Sequence, residues 1–323
     1  MKFIQKLKQR GIKKFFLALL RRPVLILSAL ILRVSPTFYI KRIIYGYTIE
    51  NINGFKMYLD LRNDVGISKD LLIFKKREHL STDLIQNKGV IKDGYTVLDI
   101  GANIGYYALM ESRLVGPSGT VYAIEPVSSN FATLNRNIEL NGIKNIKTFK
   151  LAAGNKNRED EIYVASKGNI SSFVYNKKVK FIRKERVEVV KIDDFISQQQ
   201  IQPDFIRMDV EGYESEIIRG MLKTMTQKPK LFIEVHPHLI DKAKLIEMFS
   251  LIKESGYSRA IVIKERSMVW MKRSGKIRPS LLYLTRKIEA GSVLGIGNIE
   301  NVSLEDLCAS LGARNSAFHA LIS

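Results

Sequence analysis

The sequence predicts an α/β fold with a mostly parallel sheet covered by helices on both faces. From about residue 93 to residue 264, short apolar runs typical of buried strands alternate with helical runs. Such alternation is the pattern of consecutive βαβ units, which build a parallel sheet. Small and polar residues separate the runs, beginning with DIGANIG at residues 99–105. The chain is therefore expected to adopt a Rossmann-like architecture.

Each predicted element follows from its local pattern. The apolar, β-branched runs predict strands at residues 96–101, 119–126, 145–154, 203–212, 230–237 and 257–264. The longer amphipathic runs predict helices at residues 104–116, 128–142, 213–222 and 239–256, and SLEDLCASLG near the end predicts a further short helix.

One segment interrupts the alternation. Residues 159–196 contain two strand-like runs, EDEIYVAS and RVEVVKIDDFI, around a polar and basic loop. We interpret this segment as an inserted hairpin, or flap, over the mouth of the sheet. The resulting organisation is a basic amphipathic helical extension (1–50), an entry segment packing on the core (51–92), the sheet domain (93–264, including the flap) and a C-terminal basic tail (265–323).

The charge of the chain is strongly positive and local. The formal net charge is +20 and the pI about 9.8, and residues 1–50 alone contribute +10. Two further basic blocks, at 167–191 and 264–290, account for the rest, so the centre of the chain is near neutral. This distribution indicates one or two docking surfaces rather than a general coat for nucleic acid. A single cysteine, Cys308, excludes an intramolecular disulfide framework and fits a cytoplasmic location.

The amino-terminal residues do not resemble a membrane span. The best apolar run, residues 24–32, is far shorter than the about 20 residues a spanning helix needs. Arg21, Arg22 and Pro23 interrupt any longer run, and no secretory cleavage site follows. Two interpretations remain: helices lying on an anionic membrane surface, or a helical cap packed on the sheet domain. A basic stripe for RNA ranks third, because no RNA-binding motif accompanies it.

The turn DIGANIG predicts a ligand site at the carboxyl end of the first strand. Gly101 allows a tight turn and close approach of a ligand to the backbone, and Ala102 and Asn103 extend it. Gly105 lets the helix begin close to the strand. The spacing is G-x-x-x-G rather than the G-x-G-x-x-G of pyrophosphate-binding turns. Asp99, which we expect to point into the crevice, favours a cationic ligand over a phosphate.

The next two strands agree with this interpretation. Glu125, followed by Pro126, ends the second strand, where a carboxylate can accept both hydroxyls of a ribose. Ala152 and Ala153 end the third strand and are small enough to flank a flat adenine. A nucleoside that is positively charged and lacks phosphate is S-adenosylmethionine (SAM), which is the predicted cofactor.

These stretches resemble the FkbM family of SAM-dependent methyltransferases. The matching pieces are VLDIGANIGYYAL, VYAIEPVSSNFATLNRNIELNG, IDDF, IRMDVEGYESEIIRG and LFIEVHP, spread over about residues 77–264. The resemblance implies a class I methyltransferase fold, SAM as methyl donor and, often, methylation of a hydroxyl oxygen. The stretch REHLST looks like the family's entry segment, which implies contact of Glu78 and Thr82 with the methionine end of SAM. Arg207 stands where the family pattern has Lys, so a proton-transfer role at that position is doubtful.

Polar side chains at the ends of the fourth and fifth strands supply the predicted chemistry. Asp209 and Glu211 follow one strand, and Glu234 and His236 end the other. Adjacent parallel strands bring these groups into one crevice, where a hydroxyl proton can be accepted by a base. His236 is the predicted base, with Asp209 or Glu211 as alternatives. A site for a hard metal ion is the weaker interpretation, because the spacing lacks a dedicated metal motif, and no metal is expected.

The predicted function is thus SAM-dependent O-methylation of a hydroxyl on a sugar, a glycolipid or another small molecule. The predicted partners are a small-molecule, glycan or lipid-linked acceptor and, through residues 1–50, the surface of an anionic membrane. An RNA methyltransferase and a non-catalytic membrane-surface protein that retains the fold are the alternatives. No N-P-P-Y-type tetrapeptide follows the fourth strand, so methylation of a base amine, and with it a nucleic acid partner, is not expected.

Overall fold

The computed structural model describes most of the chain beyond residue 45. The predicted amphipathic extension, except for residues 46–50, lies outside the described residues, as does the basic part of the predicted tail. The chain divides into two compact units, of which the larger contains residues 49–59, 63–265 and 296–323. The smaller unit contains residues 1–48, 60–62 and 266–295, most of them undescribed. The described residues are 46–62, 64, 66–165, 171–177, 179–265, 297–311 and 316–323.

The first half of the chain supplies a hairpin, two entry helices and the first strands of the main sheet. In chain order, its elements are β1 (Tyr47–Ile52), β2 (Phe55–Asp60), α1 (Ile67–Phe74), α2 (His79–Asn87), β3 (Thr96–Ile100), α3 (Tyr106–Leu114), β4 (Thr120–Ile124), α4 (Ser128–Leu140), β5 (Ile146–Phe149) and β6 (Ala152–Gly154).

The second half supplies the flap and completes the main sheet. Its elements are β7 (Arg158–Ala165), β8 (Phe181–Lys191), α5 (Ile192–Gln199), β9 (Phe205–Met208), α6 (Glu214–Gly220), α7 (Leu222–Met225), β10 (Lys230–Val235), α8 (Lys242–Glu254), β11 (Arg259–Glu265), β12 (Gly297–Ser303), α9 (Leu304–Ser310) and β13 (Phe318–Ile322).

The main sheet is mostly parallel, as predicted. Its eight strands have the order β12-β11-β13-β10-β9-β3-β4-β5. The five strands from β10 to β5 pair in parallel, with Asp99 of β3 directly opposite Arg207 of β9. β13 runs antiparallel to both β10 and β11, and β12 runs antiparallel to β11. The sheet is that of a Rossmann-like α/β fold, as predicted.

The core lies on both faces of this sheet. Along β3, Val97 packs into one apolar cluster with α1, α2 and α3, and Leu98 packs into a second cluster with α5, α6 and α8. Successive residues of a strand point to opposite faces, so a strand that is covered on both sides is apolar at consecutive positions. This explains why the central strands are mostly apolar at consecutive positions, with Asp99 of β3 and Arg207 of β9 as buried charged exceptions. The helices α1 and α2 of the entry segment contribute Leu71 and Ile85 to the cluster that contains Val97.

Two predicted boundaries are wrong. The predicted strand 145–154 is two strands, because the chain leaves the edge of the main sheet after Phe149 and β6 pairs in parallel with β8 of the flap. The segment 265–323 is not simply a tail, because its described residues supply β12, α9 and β13 of the main sheet. β13 lies between β10 and β11 although it follows both in the chain. Strand–helix alternation does not reveal this position. The predicted helix SLEDLCASLG is confirmed as α9.

The flap is a small sheet of its own. β7 and β8 form the predicted antiparallel hairpin, and β6 joins it at β8. Within the described residues, no helix combines the length and the apolar character that crossing a membrane requires.

Candidate active site

A cleft opens at the carboxyl ends of the parallel strands, where ligands bind in open α/β sheets. Its empty space, including the part open to solvent, is about 1110 Å³. The turn after β3, the end of β4, the loop after β9 and residues 171–173 of the flap line it. Of the residues predicted from sequence, the following line the cleft: Glu78, Gly101, Ala102, Asn103, Glu125, Pro126, Ala152, Ala153, Asp209, Glu211 and Glu234. Thr82, Asp99, Gly105 and His236 do not.

The turn after β3 is held tightly against its neighbours. The backbone N–H groups of Gly101 and Ala102 donate to the carbonyl of Ile124, at 2.9 and 3.0 Å. Gly101 has φ +82°, and a Cβ there would lie 2.0 Å from the carbonyl oxygen of Asp209. Gly105 caps α3 with φ +88°, and its Cβ would lie 2.7 Å from a side-chain atom of Leu134. Gly101 thus shapes the cleft directly, whereas Gly105 serves the packing of the helix.

Glu125 presents a buried carboxyl group at the end of β4. Its Oε2 accepts from the backbone N–H of Asn103 at 2.8 Å. Its Oε1 accepts from the N–H of Val127 at 2.9 Å and from Asn130 at 3.3 Å. Burial raises the pKa of Glu125 to about 7, against the opposing effect of these hydrogen bonds. The carboxyl group is thereby fixed at the cleft wall, where the ribose contact is predicted.

Asp99 lies elsewhere than predicted. Its side chain is fully buried, and its Oδ1 accepts from Nη1 of Arg207 at 2.9 Å. The direct register of β3 and β9 places the two residues side by side. The carboxylate is therefore neutralised by Arg207 within the protein and does not point into the crevice. The acidic character of the cleft comes from other residues.

The contacts of Arg207 explain why this position holds arginine rather than the lysine of the family pattern. Besides Asp99, its guanidinium donates from Nη2 to Asp209 at 3.1 Å. Its Cζ lies 4.0 Å from the centre of the Tyr107 ring. A planar fork that serves two carboxylates and stacks on an aromatic ring suits arginine and not lysine. Arg207 is a cationic support for Asp209 rather than a group that exchanges protons.

Two carboxyl groups of the cleft have strongly raised pKa values. Burial, together with the charge of Glu234, raises the pKa of Asp209 to about 7. Burial also raises the pKa of Glu211 to about 8, helped by the charges of Asp209 and Glu234 and opposed by His236. Glu211 has φ +52°, a conformation unusual for a residue with a side chain. Both groups therefore exchange protons near neutral pH at the cleft wall.

His236 is not placed as a base. Its Nδ1 lies 2.7 Å from Oε1 of Glu214, and its Nε2 lies 3.4 Å from Glu211 and 3.6 Å from Glu234. Burial acts to lower its pKa, but the hydrogen bond to Glu214 and the surrounding carboxylates outweigh it, so the pKa of His236 is well above its usual value. A buried imidazolium cannot accept a proton. The structure thus favours the alternatives, Asp209 and Glu211, over the predicted His236.

The entry segment contributes Glu78 and Arg77. Nη2 of Arg77 lies 3.0 Å from Oε1 of Glu78, and both residues line the cleft. Burial acts to raise the pKa of Glu78, but Arg77, His319 and Arg207 together outweigh it and hold that pKa below its usual range. Thr82 is buried and donates to the carbonyl of Arg77 at 2.8 Å, so it supports this turn without reaching the cleft.

His319 of β13 is a site residue that the sequence analysis missed. Its Nε2 lies 3.4 Å from Oε2 of Glu78 and 3.4 Å from Oε2 of Glu234. Burial acts to lower its pKa, but the charge of Glu234 and the interaction with Glu78 outweigh it, and the pKa of His319 is raised to about 10. Burial acts to raise the pKa of Glu234, but His319 in turn lowers it to about 2. The only sequence signal is a histidine inside the apolar run AFHALIS, which lies in the predicted C-terminal tail (265–323).

Comparison with known proteins identifies the family of the central domain. The family model described as "Methyltransferase FkbM domain" matches residues 99–259. Methyltransferase 1 of Beauveria bassiana is 26% identical over 151 residues, which cover 40% of this chain and 59% of that protein. A protein-L-isoaspartate O-methyltransferase of Fervidobacterium nodosum is 45% identical over 56 residues, 17% of this chain and 28% of that protein. The chain therefore spans well under two thirds of these relatives.

Solved structures of similar architecture are more distant. TYW2 of M. jannaschii in complex with AdoMet has 13% identity and a TM-score of 0.38, with 86% of each chain covered. Fibrillarin of Aeropyrum pernix, with bound S-adenosyl-L-methionine, has 13% identity and a TM-score of 0.37, covering 67% of this chain and 75% of that one.

Proposed function

The domain at residues 99–259 belongs to the FkbM methyltransferase family, and on this basis we propose that the chain transfers the methyl group of SAM to a hydroxyl oxygen of a sugar, a glycolipid or another small molecule. The observation that carries the proposal is the acidic cleft at the end of the parallel strands, with two near-neutral carboxyl groups beside the glycine turn. The name O-methyltransferase of the relatives with local similarity supports oxygen as the accepting atom.

The lining of the cleft fits SAM. The carboxyl groups of Asp209 and Glu211 face the cleft and favour a ligand with a sulfonium and an ammonium group over one that carries a phosphate. The absence of a side chain at Gly101 lets the turn lie directly against the carbonyl of Asp209, which brings the glycine turn and the acidic loop after β9 to the same wall of the cleft. Glu125 would accept the hydroxyls of the ribose, and Ala152 and Ala153, which also line the cleft, would flank the adenine. Bound SAM would supply the methyl group to be transferred.

The residues of the cleft would position the acceptor and remove its proton. In the reaction, the bond between sulfur and the methyl carbon breaks, a bond from that carbon to the acceptor oxygen forms, and the hydroxyl proton leaves. Asp209 and Glu211 are the groups to receive this proton, because both face the cleft and both have pKa values near the working pH. His236 is a positioning residue that holds Glu211 and Glu234 through its charge.

The flap is the wall against which the acceptor would lie. Ser171, Ser172 and Phe173 line the cleft, and the ring of Phe173 lies 4.8 Å from that of Tyr213. Hydroxyl groups and aromatic rings side by side suit a polyhydroxylated acceptor, which has both polar and apolar faces. We propose further that residues 1–50 contact an anionic membrane, as their net charge of +10 suggests.

The proposal is tested by binding and by transfer. Isothermal titration with SAM should show one site per chain, and labelled SAM should transfer its methyl group into a glycan or lipid fraction of a cell extract. Glu211→Gln should lose most of the transfer while still binding SAM, whereas Glu247→Gln, which removes an exposed acid of α8, should behave like the wild type. Absence of SAM binding at millimolar ligand, or label recovered only in RNA, would contradict the proposal.

A further inference from the structure

A three-residue cluster, formed by Glu78, Glu234 and His319, lies at the end of the cleft and is not used in the proposed proton transfer. The nearest ligand-type atoms of the three residues all lie within 4.8 Å of one another. Glu78 and Glu234 line the cleft, whereas His319 is 3% exposed and lies behind them. The cluster therefore has one protein-facing side and one side open to the cleft.

The imidazole is aimed into the cluster and has no hydrogen-bond partner there. Nε2 of His319 is buried and forms no hydrogen bond, although it lies 3.4 Å from an oxygen of each carboxylate. Donor atoms held about 2.1 Å from a tetrahedral metal ion are roughly 3.4 Å apart. Both distances from Nε2 thus match the spacing of ligands around a metal ion better than the spacing of a hydrogen bond.

The three side chains are also held in place from outside the cluster. His319 lies directly opposite Glu234 in the antiparallel pairing of β13 and β10. Its ring stacks on Phe232 at 5.3 Å between centres. The hydroxyl of Tyr107 donates to Oε2 of Glu78 at 2.7 Å. Outer contacts of this kind fix the orientation of metal-ligating side chains.

On this geometry we propose that Glu78, Glu234 and His319 bind a divalent transition-metal ion, with its remaining positions open to the cleft. One imidazole and two carboxylates suit ions such as Mn²⁺, Fe²⁺, Co²⁺ or Zn²⁺ better than Mg²⁺. The ammonium group of a cofactor is the competing occupant, but it is satisfied by carboxylates alone, whereas a metal ion would displace the proton of His319 and take its Nε2 as a third ligand. The open positions could take an acceptor hydroxyl and make it more acidic, a role that rests on the proposed function.

The experiment measures metal binding alone, so its result does not depend on methyl transfer. The full chain is titrated with Mn²⁺, and free Mn²⁺ is followed by electron paramagnetic resonance. The wild type should take up one ion per chain, and Glu78→Gln, Glu234→Gln and His319→Gln should each weaken uptake by at least about tenfold. Glu247→Gln is the matched control and should bind like the wild type.

Several results would overturn the proposal. The first is the absence of saturable Mn²⁺ uptake by the wild type, and the second is equal uptake by Glu78→Gln and Glu247→Gln. The third is displacement of Mn²⁺ by saturating SAM, which would assign the carboxylates to the cofactor. Circular dichroism and thermal melting identify any variant that fails to fold. Glu78→Gln, which changes a side chain at the cleft wall, still tests the proposal if the change at buried His319 prevents folding.

Discussion

Gly101 is the residue at which the shape of the cleft is most directly set by the backbone. We expect Gly101→Ala to destabilise the fold and abolish SAM binding, because a Cβ would lie 2.0 Å from the carbonyl oxygen of Asp209 and neither backbone can yield. The matched control is Gly142→Ala, since Gly142 also has positive φ (+62°) but a Cβ at that position would have nothing within 4 Å of it. The control should cost about 1–3 kcal/mol from backbone strain alone.

Urea unfolding and SAM titration of both variants check this prediction. If Gly101→Ala loses no more stability than Gly142→Ala and still binds SAM, then the close approach of the turn to Asp209 does not matter for the site.

Asp209 and Glu211 predict how activity depends on pH. Their pKa values are raised from 3.8 and 4.5 to about 7 and about 8, so both groups are largely protonated below pH 6 and become able to accept a proton as pH rises. The value of kcat/KM for SAM should therefore rise between about pH 6 and pH 9 and level off above. In the profile of kcat, the same rise should occur at a lower pH than in the profile of kcat/KM, because the positive charge of bound SAM lowers the pKa values of nearby carboxyl groups.

Initial rates of methyl transfer between pH 5 and pH 9 test this dependence. Glu211→Gln should lower the rate and remove the part of the rise nearest pH 8, and Asp209→Asn the part nearest pH 7. A wild-type profile that falls between pH 6 and pH 8 would show that the protonated form is the active one.

At the scale of the element, β13 decides whether the main sheet is continuous. Phe318 begins this strand and is 1% exposed, within the core cluster that contains Leu231 and Val262. Phe318→Ala should lower the free energy of unfolding by about 3–5 kcal/mol, because it leaves a cavity between β10 and β11. Ile299→Ala is the control on the edge strand β12, where the side chain is half exposed, and should change the stability by less than about 1 kcal/mol.

Denaturation in urea, followed by circular dichroism, compares the two variants with the wild type. Equal stabilities of Phe318→Ala and Ile299→Ala would mean that β13 does not hold the sheet together.

The elements that could be predicted are those whose pattern is local. β3, β4, β9 and β10 are buried on both faces, so each is a short, mostly apolar run followed by a helix with its own periodicity. β13 could not be predicted, because its place depends on a pairing with β10 that no nearby residue records. For the same reason His319 was missed although Glu234, its partner, was identified.

The directions and partners of side chains at the strand ends could not be predicted from the sequence either. Asp99 and Arg207 are both near the end of a strand, but only the register of β3 and β9 shows that they pair with each other inside the protein. Likewise, Glu214 begins α6, and only the structure shows that its carboxylate pairs with His236 of the loop after β10. Strand ends were thus identified correctly, while the partners of their side chains required the structure.

At the scale of the whole molecule, the distribution of charge is the main feature left outside the site. Residues 1–50 carry +10, whereas the cleft is lined by carboxyl groups. We expect the full chain to sediment with vesicles that contain phosphatidylserine and not with neutral vesicles, because each basic residue near an anionic surface contributes about 1 kcal/mol. Replacing Arg21 and Arg22 with Ser should weaken this binding.

A vesicle sedimentation assay at about 50 mM and about 500 mM salt measures the effect. Added salt should release the wild type from anionic vesicles, because it screens the attraction. Sedimentation that is the same with neutral and anionic vesicles would contradict an electrostatic contact. Failure to sediment at all would favour the alternative in which the segment packs on the rest of the chain.

The position of β13 also has a consequence for synthesis on the ribosome. β10 and β11 emerge well before the strand that separates them, since β13 follows both in the chain. Until β13 has been synthesised, the edges of β10 and β11 that pair with it stay unpaired, and Glu234 lacks its ion-pair partner His319. The nascent chain can therefore form the glycine turn and the wall around Glu125 first. The acidic side of the cleft is complete only when β13 has inserted between β10 and β11.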